Sequence, residues 1–168
     1  MQIGFIGVGA MGGGLARNLI RAGKSVLIYD INAAMVEKTL AAGTTGKAVQ
    51  NAADLAGCDL VFTSLPLPTH LQETMLGDAG LLAKMSPGAV YIDVSTIDPG
   101  TARELEAAAK EKGIGFLECP LGKTPAQAET AEEPIFVGGD ETVYQKVKDI
   151  LEIIGNPVTY LGTVDAAC

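Results

Sequence analysis

The chain has 168 residues, of which 48% are hydrophobic, 19% are charged and 21 are glycine. This length suits one domain with its own core, and the apolar content excludes an intrinsically disordered chain. The net charge of −8 argues against nucleic acid or an anionic membrane surface as a partner. Cys58, Cys119 and Cys168 have the spacing of neither a disulfide framework nor a zinc site, and no signal peptide or membrane span is recognisable. We therefore expect a cytoplasmic protein.

Short, continuous apolar runs alternate with helical patterns along the chain. Continuous runs are typical of strands that are buried on both faces of a parallel sheet. The runs are Ile3–Ile6, Val26–Tyr29, Leu60–Thr63, Ala89–Val94, Gly115–Leu117, Ile135–Val137 and Val158–Tyr160. Strand–helix alternation over residues 1–168 predicts a single α/β domain with a doubly wound, mostly parallel sheet, the Rossmann fold.

The segments between these runs carry signals for helix boundaries. Met11 begins an apolar stripe with helical spacing, and Gly23 marks its end. Thr69 and Gln72 have the spacing of a capping box. Further helix starts are predicted where an acid can cap the first turn, at Asp98 and Asp140.

Four loops that are rich in glycine, proline or hydroxyl residues follow predicted strands. They cover residues 7–14, 65–69, 95–99 and 118–125. The carboxyl ends of parallel strands meet at one edge of a sheet, and open α/β sheets bind their ligands at that edge. The sequence therefore predicts one site built from these four loops.

The first of these loops carries the glycine pattern of a dinucleotide site between a strand and a helix. Gly7 permits the tight turn, Gly9 lets the backbone approach a diphosphate, and Gly12 lets the helix and strand pack closely. The start of the helix, at Ala10 and Met11, offers N–H groups and a partial positive charge to phosphate. A glycine turn used only for packing is the alternative interpretation.

The second predicted strand ends in an acid, Asp30, about 18 residues after Gly12. An acid at this distance accepts hydrogen bonds from the adenosine ribose hydroxyls, and its charge repels a 2′-phosphate. No arginine follows within residues 31–34, so the sequence predicts NAD rather than NADP, with Asn32 also at the coenzyme. Asp30 could cap the helix that starts near Ala33, instead of or together with this role.

The chain carries an ordered set of motifs that resembles the pattern of the β-hydroxyacid dehydrogenases. The motifs lie at residues 4–12, 17–19, 64–66, 92–99 and 137–140. This family includes 3-hydroxyisobutyrate dehydrogenase and tartronate semialdehyde reductase, and the resemblance covers essentially the entire chain. It implies an oxidoreductase that interconverts a small 3-hydroxy acid and its semialdehyde by hydride transfer. By the resemblance, Leu65 and Pro66 would pass along the coenzyme, with Thr96 near the nicotinamide and Ser95 beside the substrate. Taken alone, the same residues would indicate only a strand end and helix caps.

The loop at residues 118–124 departs from the family pattern, which usually reads Asp-x-Pro-x-Ser-Gly-Gly. Lys123 stands where the family has a glycine. This variant looks like sulfolactaldehyde reductase, a family member with a basic residue at that place. The likeness implies that Gly122 and Lys123 hold the acidic end of the substrate, a carboxylate or a sulfonate, with the lysine acting as a point charge. An ordinary solvated loop lysine fits the sequence as well.

The catalytic lysine and the helical C-terminal domain of the family have no counterpart in these residues. Aligned from Gly162, the lysine would fall beyond Cys168, so we expect no catalytic residue in the chain and little or no activity from it alone. It would then be the coenzyme half of a longer enzyme that forms a homo-oligomer. Two alternatives remain open: a non-catalytic NAD(H) sensor and a domain like that of 6-phosphogluconate dehydrogenase.

We expect three further side chains that could take part in chemistry to have structural rather than catalytic roles. Cys119 follows an apolar run and is expected to be a small buried residue. His70 is expected at the surface, and Asp93 is expected to hold the backbone of a loop.

Overall fold

The computed structural model describes all 168 residues and contains one eight-stranded sheet. The strands are β1 (Gln2–Ile6), β2 (Ser25–Tyr29), β3 (Gly46–Ala48), β4 (Leu60–Thr63), β5 (Val90–Asp93), β6 (Gly115–Glu118), β7 (Ile135–Gly139) and β8 (Val158–Gly162). Their order across the sheet is β3-β2-β1-β4-β5-β6-β7-β8, and every neighbouring pair is parallel except β6 and β7. The order reverses between β1 and β4, which confirms the predicted doubly wound, mostly parallel sheet.

Seven α-helices connect the strands or follow them, and two short 3-10 helices cover Ala52–Leu55 and Leu81–Ala83. The α-helices are α1 (Gly12–Arg21), α2 (Ala33–Leu40), α3 (Pro68–Met75), α4 (Pro99–Glu111), α5 (Pro125–Glu129), α6 (Glu141–Ile154) and α7 (Val164–Ala167). Leu15 and Leu19 of α1 and Val147 of α6 belong to one buried hydrophobic cluster. Leu71 of α3 and Leu105 of α4 belong to a second cluster. The sheet therefore has a packed hydrophobic layer on each of its faces. No helix combines the length and the apolar character that crossing a bilayer would take.

The two acidic helix caps predicted from the sequence are present. Asp98 accepts a hydrogen bond from the backbone N–H of Thr101 at 3.0 Å, and Asp140 accepts one from the backbone N–H of Thr142 at 2.7 Å. Each bond satisfies one of the N–H groups that a helix leaves free in its first turn. These carboxylates fix where α4 and α6 begin.

The capping box predicted at Thr69 and Gln72 is wrong. The observed N-cap of helix α3 is Leu67, two residues before Thr69, and the helix begins at Pro68 because the fixed φ of proline suits the first helical position. Thr69 therefore lies inside the first turn, and no side chain caps this helix. Gln72 instead donates to the carboxylate of Glu104 on α4 at 2.8 Å.

The antiparallel pairing of β6 and β7 determines where the segment between them lies. Strand β6 ends at the carboxyl edge of the parallel strands, and β7 starts from that same edge because it runs in the opposite direction. Residues 119–134, including the short helix α5, therefore leave and re-enter the sheet at one edge. This places Lys123 beside the loops that follow β1, β4 and β5.

Candidate functional site at the carboxyl edge of the sheet

A cavity of about 860 Å³ lies at the carboxyl edge, next to the point where the strand order reverses. Its size is within the usual range for a small-molecule or cofactor site. Twelve of the thirteen residues that the sequence predicts to contact coenzyme or substrate line it, namely Gly7, Gly9, Ala10, Met11, Gly12, Asp30, Asn32, Leu65, Pro66, Ser95, Thr96 and Lys123. The exception is Gly122.

The glycine turn between β1 and α1 is packed too closely for larger residues at two positions. Gly7 has φ +90°, and a Cβ atom there would lie 2.1 Å from the carbonyl oxygen of Ser64. A Cβ atom on Gly12 would lie 2.1 Å from the carbonyl oxygen of Gly7. Gly9 differs, because a Cβ atom there would meet no atom within 4 Å. The backbone at Gly9 thus faces the open space of the cavity, whereas Gly7 and Gly12 hold the turn against β4.

Three consecutive backbone N–H groups of this turn have no acceptor within the protein. They belong to Gly9, Ala10 and Met11, the residues just before α1. The backbone N–H of Val8, one residue earlier, is bonded to Asp30. Free N–H groups at the positive end of a helix dipole favour an anion, so this turn has a local positive field within an acidic protein.

Asp30 fixes the glycine turn from the end of β2. One carboxylate oxygen accepts the N–H of Val8 at 2.8 Å, and the other accepts the N–H of Asn32 at 2.8 Å. The cap of α2 is Asn32 rather than Asp30, since the Asn32 side chain accepts from the N–H of Ala34 at 3.0 Å. The alternative interpretation of Asp30 as the cap of this helix is therefore wrong. Its carboxylate lies on the cavity wall.

The opposite wall is held by a buried hydrogen-bond chain that centres on Asp93. The hydroxyls of Thr63 and Ser95 donate to the same oxygen of Asp93, at 2.6 and 2.8 Å. Ser95 in turn accepts the backbone N–H of Leu65 at 2.9 Å. Burial raises the pKa of Asp93, and the hydrogen bonds from Thr63 and Ser95 act in the opposite direction. Asp93 thus holds the loop after β4 through Ser95, as the sequence led us to expect.

The loop that carries Lys123 is fixed by a buried acid. The backbone N–H of Lys123 donates to the carboxylate of Glu133, whose residue is fully buried. The Lys123 side chain is exposed and lines the cavity. Gly122 does not line it, and its backbone N–H donates to the carbonyl of Pro134 at 3.1 Å. A substrate contact through the N–H of Gly122 is therefore not available in this structure.

Helix α3 supplies cavity residues that the sequence analysis did not assign to the site. His70, Glu73 and Thr74 line the cavity from one face of this helix. His70 is exposed, as expected, but it belongs to the cavity wall. Their spacing of three and four residues is the available signal, because such residues share a helix face. These three residues could have been predicted from the sequence, because they form a polar face on a helix that follows the end of a strand.

Cys119 lies outside the cavity and is fully buried. Burial, followed by the nearby Glu118 and Asp93, raises the pKa of its thiol well above the usual value. A thiol with a raised pKa is a poor nucleophile. This agrees with the expected structural place of Cys119.

Together, the fold and the cavity define a Rossmann-type dinucleotide-binding domain. The sequence model of one family, described as "NAD binding domain of 6-phosphogluconate dehydrogenase", matches residues 2–162, and the chain belongs to this family of NAD-binding domains. Its similarity to known dehydrogenases supports the predicted relationship to the β-hydroxyacid dehydrogenases.

Characterised relatives include several dehydrogenases. An NAD-dependent L-serine dehydrogenase of Pseudomonas aeruginosa is 36% identical over 96% of this chain and 54% of its own length. A 2-(hydroxymethyl)glutarate dehydrogenase of Eubacterium barkeri is 34% identical over 99% of the chain and 55% of its own length. The chain therefore spans about half the length of the curated relatives it matches.

Solved structures agree with this relationship. The 3-hydroxyisobutyrate dehydrogenase of Mycobacterium tuberculosis with L-serine has a TM-score of 0.91 and 29% identity, covering 99% of this chain and 56% of its own. An imine reductase of Myxococcus stipitatus in complex with NAD+ has a TM-score of 0.88 at 19% identity, which shows a shared fold.

Proposed function

We propose that this domain is the coenzyme half of an NAD-dependent dehydrogenase or reductase that acts on a small 3-hydroxy acid or its semialdehyde. One observation carries the proposal. The free N–H groups of Gly9, Ala10 and Met11 lie in the same cavity as the carboxylate of Asp30 and the side chain of Lys123. In the proposal, these groups serve as an anion site, a ribose acceptor and a cation for an acidic substrate.

In this proposal, the glycine turn and Asp30 hold the adenosine diphosphate half of NAD. The backbone of Gly9 and the N–H groups of Ala10 and Met11 take the diphosphate, while Gly7 and Gly12 keep the turn closed. Asp30, with Asn32 beside it, accepts hydrogen bonds from the ribose hydroxyls. Its negative charge also disfavours the 2′-phosphate of NADP.

The nicotinamide half lies along the loops that follow β4 and β5. Leu65 and Pro66 pass along the coenzyme, and Thr96 lies beside the nicotinamide ring. Bound NAD supplies hydride-transfer chemistry, and the protein supplies position and electrostatics. Ser95 is buried and is fixed by Asp93, so it offers a rigid wall next to the substrate.

Lys123 is proposed to bind the acidic end of the substrate. Its exposed ammonium group lines the cavity, and its backbone is fixed by Glu133, which limits the movement of the loop. A lysine acts as a point charge and therefore suits a carboxylate or a sulfonate. Gly122 takes part through the shape of the loop, since a Cβ atom there would lie 3.2 Å from the ring of Phe136.

The acid–base group of the reaction is proposed to come from outside these 168 residues. The relatives are about twice as long as the matched region, and the sequence resemblance assigns the acid–base role to a lysine for which no residue here substitutes. The complete enzyme would then be a homo-oligomer. The three free thiols support a reducing compartment such as the cytoplasm.

Isothermal titration calorimetry of the purified chain tests the proposal. We expect one NADH or NAD+ to bind per chain, with NADPH and NADP+ binding more weakly. The Asp149→Asn variant, which removes an exposed acid on α6, should bind NADH like the wild type. The proposal fails if no heat is detected with either coenzyme at millimolar concentration.

A further inference from the structure

Two buried carboxyl groups lie side by side beneath the wall of the cavity. Thr63, Asp93 and Glu118 occupy the same register position on the adjacent parallel strands β4, β5 and β6. Asp93 is fully buried and Glu118 is 1% exposed. None of the ion pairs of the chain includes either carboxyl group. Two adjacent carboxylates without a cation would repel each other strongly in such a place.

Only one of the four oxygen atoms of this pair of carboxyl groups accepts hydrogen bonds. Thr63 and Ser95 both donate to Oδ1 of Asp93, and Tyr91 lies 2.8 Å from the Thr63 hydroxyl. Oδ2 of Asp93 and both carboxyl oxygens of Glu118 are buried without a partner. A buried acceptor without a donor is costly, and a single proton on Glu118 would supply the missing donor.

We propose that Glu118 is a neutral carboxylic acid that donates its proton to Oδ2 of Asp93, which makes Glu118 a positioning residue for the cavity wall. Asp93 then remains a carboxylate that can hold both hydroxyls. Through Ser95 it fixes the backbone N–H of Leu65, 2.9 Å from the Ser95 hydroxyl. The effect on ligand binding rests on the proposed coenzyme function, whereas the shared proton does not.

The other titratable groups around the pair are compatible with one negative charge. Burial raises the pKa of Tyr91 well above its usual value, and burial also raises the pKa of the Cys119 thiol, so both are neutral at pH 7. Burial and then the neighbouring Asp93 raise the pKa of Glu118 well above its usual value. Cys168 also raises the pKa of Glu118. Burial raises the pKa of Cys168 itself, Asp165, Asp98 and Asp93 act in the same direction, and Arg103 acts in the opposite direction.

Carbon-13 NMR of glutamate carboxyl groups tests the shared proton directly. We expect one glutamate carboxyl resonance of the wild-type chain to have the chemical shift of a neutral acid at pH 7. That resonance should be absent from Glu118→Gln and present in Glu111→Gln, which alters an exposed glutamate on α4. If every glutamate carboxyl of the wild type is ionised at pH 7, the proposal is wrong.

Coenzyme titrations test the positioning role. Glu118→Gln keeps a donor for Asp93 and should bind NADH within about twofold of the wild type, whereas Glu118→Met leaves Oδ2 unpartnered and should bind about tenfold more weakly. Equal affinity of the Met variant and the wild type, or equal weakening in both variants, would contradict the role.

If the Glu118→Met variant does not fold, the NADH affinity of the wild type and of Glu118→Gln can be measured as a function of pH instead. The NADH affinity of the wild type should then fall as Glu118 ionises at high pH, while that of Glu118→Gln should stay level. Parallel profiles would overturn the positioning role. A wild-type chain that binds no NADH refutes the proposed function, and the NMR experiment still decides the shared proton.

Discussion

Arg17 of α1 and Glu129 of α5 form an ion pair between residues 112 positions apart in the sequence, and the Nε of Arg17 donates to the Glu129 carboxylate at 2.9 Å. Arg21, one helical turn further along α1, pairs with the same carboxylate. The backbone of α5 lies directly on α1, since a Cβ atom on Gly14 would be 2.9 Å from the backbone nitrogen of Glu129. This pair therefore fixes the segment that carries Lys123 against the helix at the proposed diphosphate site.

The Glu129 ion pair predicts a loss of stability in acid. The Arg17 hydrogen bond, with Arg21 also contributing, lowers the pKa of Glu129 from its usual 4.5 to about 2. A lowered pKa in the folded state contributes stability above the usual pKa, and this contribution is lost as the pH falls through about 2. Because the side chain is 35% exposed, we expect Glu129→Gln to lower the free energy of unfolding at pH 7 by only about 1 kcal/mol.

Urea denaturation between pH 7 and pH 2 checks this expectation. The difference between the wild type and Glu129→Gln should shrink below pH 4.5, which is the usual pKa of the group. Glu132→Gln, at an exposed glutamate without an ion pair, should match the wild type throughout. A difference that is constant with pH would argue against the ion pair as the cause.

A methyl group at Gly9 should weaken coenzyme binding, whereas a methyl group at Gly12 should lower the free energy of unfolding. Gly9→Ala places a Cβ atom in open space and should leave the free energy of unfolding within about 0.5 kcal/mol of the wild type. It should weaken NADH binding at least about tenfold, because the methyl group occupies the approach to the diphosphate. Gly12→Ala forces a contact at 2.1 Å and should cost about 1–3 kcal/mol of stability. Chemical denaturation and calorimetry on both variants measure the contrast, and tight NADH binding by Gly9→Ala would contradict the proposed diphosphate position.

Asp30→Asn tests the coenzyme preference. The amide keeps one oxygen acceptor but removes the charge, so NADH should bind about tenfold more weakly. NADPH should lose less affinity than NADH, because the repulsion of its 2′-phosphate is removed. The dissociation constant of NADPH divided by that of NADH should therefore fall in Asp30→Asn. The same ratio should keep its wild-type value in the Asp149→Asn control. An unchanged ratio would show that Asp30 does not select the coenzyme.

Lys123→Gln tests the substrate site in an enzyme that carries this domain together with its acid–base residue. The KM for the acidic substrate should rise about tenfold or more, with little change in coenzyme affinity, because a charged partner is lost. Lys148→Gln, at an exposed position of α6, is the matched control. A KM equal to that of the wild type would identify Lys123 as a solvated loop residue.

Most of the fold is readable from the sequence because its strands are buried, continuous apolar runs. The elements that were missed lack this signal. Strand β3 has only three residues and two of them are exposed, so neither length nor apolar content marks it. The predicted start of α3 is two residues late, since the capping signal at Thr69 competes with the preference of proline for the first helical position.

The cavity residues were predictable where backbone geometry requires a particular residue type, as in the glycine turn and at Asp30. They were less predictable where the decisive contact depends on residues distant in sequence. The N–H of Gly122 is bonded to Pro134, and that of Lys123 to Glu133, which nothing in the local sequence indicates. The pairing of Asp93 with Glu118 likewise depends on strand register.

The reversed direction of β7 affects how domains of this fold can diversify. Because residues 119–134 leave and return at one edge, the exposed residues 122–126 can vary while the register of the parallel strands and the contact of Glu129 with α1 stay the same. A new charge or a larger side chain at residues 122–126 should alter the cavity near Lys123 and leave the glycine turn between β1 and α1 as it is. In the proposed enzyme, exchanging these exposed residues between relatives should transfer preference for one acid over another while Glu129 and Glu133 keep their contacts.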